Sequence, residues 1–473
     1  MTRLSFVTII HLVLAGCSRS THSADELIRR FMATNEIRAM FVAVVKGDSV
    51  LYQNSFGISN GKTGAPMTST TCMELGSISK AFTAEVIYQL HNENLLNIED
   101  PITNYLTGAP ASWSDIKIRH LLTHTSGIQN YLLDQRFKAR EYFTGSTDPV
   151  SARFFSNVST DSMVTMFYSL PVEFIPGTSW AYSNTGYYLL GKIAEAATGR
   201  KFFDLVAERV TVPLQMNRTM ANELALKQGC LSPGYFHPDT GFVMVHTLTS
   251  HYAFSAGAWA TTGEDMIKYM KAIQRNSLPS GKAEFKRESL ADNELPFAYE
   301  GGRFYSTYQG KRIMAHNGGT AGFSSSWINV VDEGISIIVL MNRQDYAAIE
   351  PLAWDILATF ETSLQYPVKR LEGNDEETYA QKLIGIVNAL KANEHYPDGM
   401  SQPLQTFMNS ENGKGMWRWY FERGFPESAR CVDKEVIGKT KAYRFRMLLS
   451  DKVEYRTTMI VNEKKEITQI RWW

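Results

Sequence analysis

The chain has 473 residues, and its 48 lysines and arginines cancel its 48 aspartates and glutamates. That balance leaves no basic surplus for nucleic acid and no net field toward a charged membrane surface. A hydrophobic content of 44% and an aromatic content of 12% exclude a disordered chain, and the length allows two or three domains around a large core.

The N-terminus differs from the rest. Arg3 precedes the mostly apolar run Leu4 to Leu14, which closes on Leu14-Ala15-Gly16-Cys17. The run is too short to span a bilayer and has the layout of a secretory signal. An ordinary signal peptide that contains a cysteine is one reading. The other rests on Leu14-Ala15-Gly16-Cys17, which resembles a bacterial lipobox and implies a lipoprotein signal over residues 1–17 with Cys17 lipidated. A polar tether over 18–23 follows. Ser18, rather than an aspartate, follows Cys17, and by that resemblance the protein is expected in the bacterial cell envelope as an outer-membrane lipoprotein facing the periplasm, with surface display as the alternative. Such an anchor attaches a protein without making it span the membrane. Without Cys17, the cysteines are Cys72, Cys230 and Cys431. An odd number, far apart, argues against a disulfide framework and makes Cys72 a small core residue.

Residues 24–34 read as an amphipathic helix. Phe41 to Val45, a turn over Lys46 to Ser49, and Val50 to Tyr52 read as a β-hairpin. Ser77 then opens a long helix in which Phe82, Val86, Ile87 and Leu90 recur at helical spacing, so one face is expected to be buried. Lys80 stands three residues after Ser77, on the same face and within reach of its hydroxyl. A serine at a helix start, a nitrogen base beside it and a backbone N–H not used inside the helix are the parts of an activated nucleophile with an oxyanion donor.

The middle of the chain, from Glu99 to Glu288, is rich in loops, with a helix over 184–197 that stops at Thr198-Gly199. Strand patterns return at Arg303 to Tyr308, Lys311 to Ala315, Ser324 to Val331 and Ile335 to Met341, and an apolar helix runs from Ile349 to Phe360. Strands at both ends with helices between them predict an α+β fold: one antiparallel sheet flanked by helices, plus a helical, loop-rich subdomain. This domain is placed at 24–365. A small α+β domain is placed at 372–473. It holds a helix from Asn374 carrying Tyr379, Leu383, Val387 and Leu390, then an antiparallel meander through Tyr443 to Leu449, Val453 to Val461 and Ile467 to Trp472. The Trp417, Trp419, Tyr420 and Phe421 cluster is read as core packing rather than a binding surface.

Three more stretches stand out: Tyr182-Ser183-Asn184 just before a helix, His316-Asn317-Gly318-Gly319 after an apolar strand, and Leu121-Leu122-Thr123-His124-Thr125-Ser126-Gly127. Together with Ser77 and Lys80, in this order, they resemble the serine β-lactamase and penicillin-binding-protein superfamily, closest to its class C, esterase and D-aminopeptidase branch. Glu99-Asp100-Pro101 and Thr262 to Met266 fit the same resemblance, which spans Asp25 to Glu361.

The resemblance implies that Ser77 is the nucleophile, Lys80 shares its proton, and Tyr182 works with Lys80 as general base and then acid. Asn184, His316 and Gly318 would bind substrate, and the N–H groups of Ser77 and Gly319 would form the oxyanion hole. His124 is kept structural. Relatives with lysine in the third motif bind a substrate carboxylate there; His316, mostly neutral at pH 7, pulls less on such a group. The expected function is a lipid-anchored serine hydrolase acting through an acyl-enzyme on an ester, peptide or D-amino-acid amide, with weak or no β-lactamase activity. The alternative is a receptor-like module that binds a ligand or penicillin and turns over poorly. The expected partners are a small-molecule or peptide substrate and the membrane through Cys17, with no nucleic acid. No metal or cofactor is expected, since His120 and His124 lack the glutamate of the zinc-protease pattern. The absence of a Gly-x-Ser-x-Gly elbow disfavours an α/β-hydrolase.

Overall fold

The computed structural model describes residues 23–134, 158–236, 243–245, 250–278, 298–344, 346–392, 394, 396, 398–409, 421, 424–437, 439–448 and 454–472. Residues 1–17, His237, His246, Trp417, Trp419 and Tyr420 lie outside them. The chain divides into two compact units, Met1–Phe285 with Tyr299–Ser363 and Lys286–Ala298 with Leu364–Trp473.

In the first unit, helix α1 (23–34) leads into the hairpin of β1 (Ala39–Lys46) and β2 (Ser49–Asn60). Gly47, at φ 56, makes the turn between them. These strands join β3 (Ala65–Pro66), β4 (Ala298–Glu300), β5 (Arg303–Tyr308), β6 (Lys311–Thr320), β7 (Phe323–Val330) and β8 (Ile335–Met341) in one sheet of order β3-β2-β1-β8-β7-β6-β5-β4. The first strand zips antiparallel to the last, Phe41 opposite Leu340 and Ala43 opposite Ile338. The sheet is therefore built from both ends of the unit, as the pattern of strands implied. Both β1 and β8 are near-continuous apolar runs, buried along their length, because helices cover the sheet. Helix α4 (Gly263–Gln274) packs on β1 and β8, and α5 (Tyr346–Phe360) packs on β7 and β8. A side chain at Gly263 would strike the Phe41 ring at 2.2 Å, so glycine sets how closely α4 lies on the sheet.

Three expectations are corrected. Ser77 does not open one continuous α-helix: it sits in a 3-10 turn, Gly76–Ser79, and α2 proper is Lys80–Asn92. Gly76 adopts φ 57 there, and its backbone is pressed against Gly319. Strand β6 runs on to Thr320, so His316 to Gly319 lie inside it; pairing with β7 (His316 opposite Trp327, Gly318 opposite Ser325) outweighs the turn preference of two glycines. Finally, Cys72 and Cys230 form a disulfide with Cα atoms 5.3 Å apart. Their 158-residue separation in sequence concealed a contact that the fold creates, and Cys431 alone among the described cysteines is free.

The second unit packs α6 (Asn374–Ala392) and α7 (Gln402–Asn409) with a meander of β9 (Ser428–Ile437), β10 (Thr440–Leu448), β11 (Glu454–Val461) and β12 (Ile467–Trp472). Tyr379, Leu383, Val387 and Leu390 meet Tyr443, Phe445 and Met447 in its core, which also buries Phe421. Strand β9 and helix α7 add to the expected helix and meander.

Candidate active site

Helix α2 is buried nearly all round, with Phe82, Val86, Ile87 and Leu90 at zero exposure, so its N-terminal end is fixed by packing. A buried network holds the same helix from below. Arg303 on β5 donates through Nη2 to Glu85 Oε1 at 3.0 Å and to the Tyr269 hydroxyl at 2.9 Å, joining α2, β5 and α4. The turn before β5 lies on the backbone of Lys80 itself: a Cβ on Gly302, at φ 73, would come within 2.4 Å of the Lys80 carbonyl carbon.

From this platform the fully buried Lys80 amine makes three hydrogen bonds, to Ser77 Oγ at 2.9 Å, to Asn184 Oδ1 at 2.7 Å and to the Ala256 carbonyl at 2.7 Å. None of these partners carries a charge. Burial alone holds the amine well below its ordinary value of 10.5. The Ala256 carbonyl is itself placed by a chain of contacts. Thr83 of α2 donates to the Ser255 carbonyl at 2.6 Å, and the Ser255 hydroxyl donates to the Tyr187 carbonyl at 2.8 Å.

Asn184 is the first residue of α3 (Asn184–Thr198), whose cap is Ser183. Its side chain reaches Lys80 on one side and Asn130 on the other. Tyr182 lies beneath the amine, with Lys80 Nζ 5.1 Å from its ring centroid, and Tyr187 is 5.7 Å away. Behind Tyr182 are His124, with ring centroids 4.3 Å apart, and Tyr299, at 6.0 Å.

Both histidines near the site are neutral. His124 is buried, and its Nδ1 accepts from the Ser183 N–H at 3.2 Å; burial and the nearby Lys80 keep its pKa well below 6.5. His316 Nδ1 faces the Asn317 carbonyl at 2.6 Å, so that nitrogen carries the hydrogen and Nε2 accepts from the Tyr299 hydroxyl at 2.9 Å. Burial, with Lys80 adding to it, pushes His316 down to about 3. Its ring nitrogens are thus committed within the protein.

Gly318 and Gly319 are where β6 meets the turn that carries Ser77. A Cβ on Gly318 would lie 2.0 Å from the Leu75 carbonyl oxygen, and the neighbouring Ser325 hydroxyl donates to that oxygen at 2.8 Å. The space Gly318 leaves is therefore occupied by the segment carrying Ser77. The Gly319 N–H lies beside Gly76, one residue before Ser77, since a Cβ on Gly76 would meet that nitrogen at 2.4 Å.

The structure thus gathers Ser77, Lys80, Tyr182, Asn184, His316, Gly318 and Gly319 around one point. Asn130, Ala256, Tyr299 and Ser325 complete the surroundings. Sequence reasoning missed these four because none belongs to a short motif. His120 Nδ1 accepts from the Lys117 N–H at 3.1 Å, a helix-end contact. No cluster of potential metal ligands occurs among the described residues.

An antiparallel sheet flanked by helices, with a serine and a lysine bonded one turn apart at the foot of a buried helix, defines the serine-hydrolase-like class with the β-lactamase/transpeptidase fold. The family model described as Beta-lactamase matches residues 24–359, and the chain belongs to that family. Penicillin-binding protein 4* of Bacillus subtilis (strain 168) is 28% identical over 320 residues, which cover 64% of this chain and 68% of that protein. A D-aminopeptidase of Brucella anthropi is 28% identical over 318 residues, covering 65% of this chain and 56% of the relative. Among solved structures, D-amino acid amidase from Ochrobactrum anthropi SV3 superposes with a TM-score of 0.59 at 18% identity, over 74% of this chain and 99% of that one. An octameric penicillin-binding protein homologue from Pyrococcus abyssi, also at 0.59 and 18%, extends over 95% of this chain and 99% of that one. At these identities the two structures show a shared fold.

Proposed function

We propose that the chain is a serine hydrolase that forms an acyl-enzyme on Ser77 with an ester, peptide or D-amino-acid amide. The observation that carries this reading is the Lys80 amine: fully buried, free of any carboxylate among its three partners, and 2.9 Å from Ser77 Oγ. With two N–H groups given to Asn184 Oδ1 and Ala256 O, a neutral amine points its lone pair at the serine. A lowered pKa makes that neutral form more accessible than in an exposed lysine. Ser77 Oγ attacks the carbonyl carbon, its proton passes to Lys80, and the oxyanion is held by the N–H groups of Ser77 and Gly319. Collapse expels the leaving group, which takes a proton relayed by Lys80 and Tyr182. Water then releases the acyl group by the reverse use of the same groups.

A neutral, internally bonded His316 at the third motif gives a carboxylate on the substrate little attraction, which supports weak or no β-lactam hydrolysis. The test is a panel of p-nitrophenyl esters, D-amino-acid amides, D-Ala-D-Ala peptides and nitrocefin, with Ser77→Ala as background. Turnover of an ester or amide above that background supports the proposal. Ligand binding without any such turnover would instead favour a receptor-like module.

For its location, the reading is an envelope lipoprotein anchored through Cys17. The Cys72–Cys230 disulfide supports export to an oxidising compartment. Cys17→Ser should move the protein from the membrane to the soluble fraction with Ser77 still reactive; retention on the membrane would refute the anchor.

A further inference from the structure

Asparagine side chains have two ends of similar shape, and which end faces Lys80 decides whether that lysine can act as a base. The Lys80 amine offers N–H groups to the atom 2.7 Å away on Asn184, which is therefore the oxygen Oδ1. Nδ2 then faces the other way, toward Asn130 Oδ1 at 3.4 Å. That oxygen also takes the Asn184 backbone N–H at 3.3 Å and the Leu132 N–H at 3.4 Å. Three donors converge on one atom, so the atom must be an acceptor. The order runs without ambiguity from the loop to the lysine.

We propose that Asn130 is a positioning residue for the reaction: it locks the Asn184 amide with its oxygen toward Lys80. The proposal rests on the reading of Ser77 and Lys80 given above. Were Asn184 to turn over, its oxygen would face the Asn130 oxygen, and its NH2 group would face Lys80. The NH2 group would then donate into the lone pair that has to take the Ser77 proton. The lock keeps that lone pair for the serine. Asn130 does this from a half-buried loop that carries none of the chemistry. Among the described residues, the titratable groups facing the amine are the rings of Tyr182 and Tyr187 and, further back, His124 and His316. No carboxylate stands among them, so a charge introduced at position 130 is read out clearly.

The experiment uses the full chain with Asn130→Leu and Asn130→Asp, assayed on a p-nitrophenyl ester across pH. Asn130→Leu removes the acceptor. It should lower kcat on the order of a hundredfold at every pH, the cost of a misaligned base. Asn130→Asp keeps the acceptor and the lock, and adds a negative charge that holds the Lys80 proton more firmly. Its kcat should return toward wild type, with the acid limb of kcat/KM moved to higher pH. A merely structural residue would not produce that shift. Wild-type kcat in Asn130→Leu, or an unmoved limb in Asn130→Asp, would overturn the proposal. Absence of any Ser77-dependent turnover in the wild type would count against the hydrolase reading instead. The lock is then decided by titrating Lys80 through the NMR shift of its 13C-labelled Cε, assigned with Lys80→Arg. Asn130→Asp should raise that pKa and Asn130→Leu lower it, and identical titrations in all three proteins would overturn the lock.

Discussion

Gly318→Ala puts the smallest possible side chain where β6 crosses the turn that carries Ser77. The new Cβ would stand 2.0 Å from the Leu75 carbonyl oxygen and 2.3 Å from Ser325 Oγ. Ordinary contact begins near 3.4 Å, so Leu75 must retreat by about 1.4 Å or β6 must bend away by as much. Retreat is resisted, because the Leu75 oxygen is tied to Ser325 and the Leu75 N–H is bonded to the Trp259 carbonyl at 2.8 Å. Overpacking of this kind costs roughly 1–3 kcal/mol of stability. Leu75 is only two residues from Ser77, and a misplacement of about 1 Å at a reacting group costs on the order of a hundredfold in rate. The expected result is a folded protein, melting a few degrees lower, whose kcat/KM for a p-nitrophenyl ester falls about a hundredfold. Full activity would show that the turn yields without moving the serine. An unfolded variant would show that the contact holds the fold rather than the site.

Other outcomes follow from the same geometry. Tyr182→Phe keeps the ring against His124 and Lys80 but removes the hydroxyl, so it should fold normally and lose roughly a hundred- to ten-thousand-fold in kcat; wild-type rates would leave Lys80 as the sole base. Reducing the Cys72–Cys230 bond, or replacing both cysteines with alanine, frees a loop of 158 residues and should cost up to about 5 kcal/mol, read as a lower denaturation midpoint under dithiothreitol; an unchanged midpoint would mean that the bond adds nothing. His316 is held neutral in the fold, with its pKa at about 3 against 6.5 when free. The unfolded chain therefore binds a proton that the folded one refuses, and stability that is complete above pH 6.5 is lost progressively as the pH falls toward 3. In His316→Gln that acid loss should shrink, as followed by urea unfolding at pH 7 and pH 4.5; equal losses in both proteins would place the acid sensitivity elsewhere.

Local patterns carried much of this fold. The apolar runs at Phe41 to Val45 and Ile335 to Met341 announce buried strands, and the 3.6-residue recurrence from Phe82 to Leu90 announces the helix behind the serine. Features set by distant contacts were not legible. The two glycines of β6 read as a strand end, and only pairing with Ser324, Ser325 and Ser326 reveals that the strand continues. Cys72 and Cys230 are distant in sequence and meet only because the chain returns beside the segment that leads to Ser77. Strand β9 alternates charged residues such as Asp433 and Glu435, which pair with buried Arg444 and hide its β character from a hydrophobicity pattern. Asn130 had no signal at all: its meaning lies in hydrogen bonds to Asn184, 54 residues away.

The central claim is that Ser77 is made nucleophilic by a buried Lys80 that gives up its proton more readily than an ordinary lysine. The direct measurement is the rate at which a fluorophosphonate probe labels the full chain across pH, with the modified peptide identified by mass spectrometry. The account predicts one adduct, on Ser77. Its rate should rise with pH through a limb well below 10.5, and it should be lost in Lys80→Met. No adduct on Ser77, or labelling that climbs only near pH 10.5 and survives Lys80→Met, would contradict it.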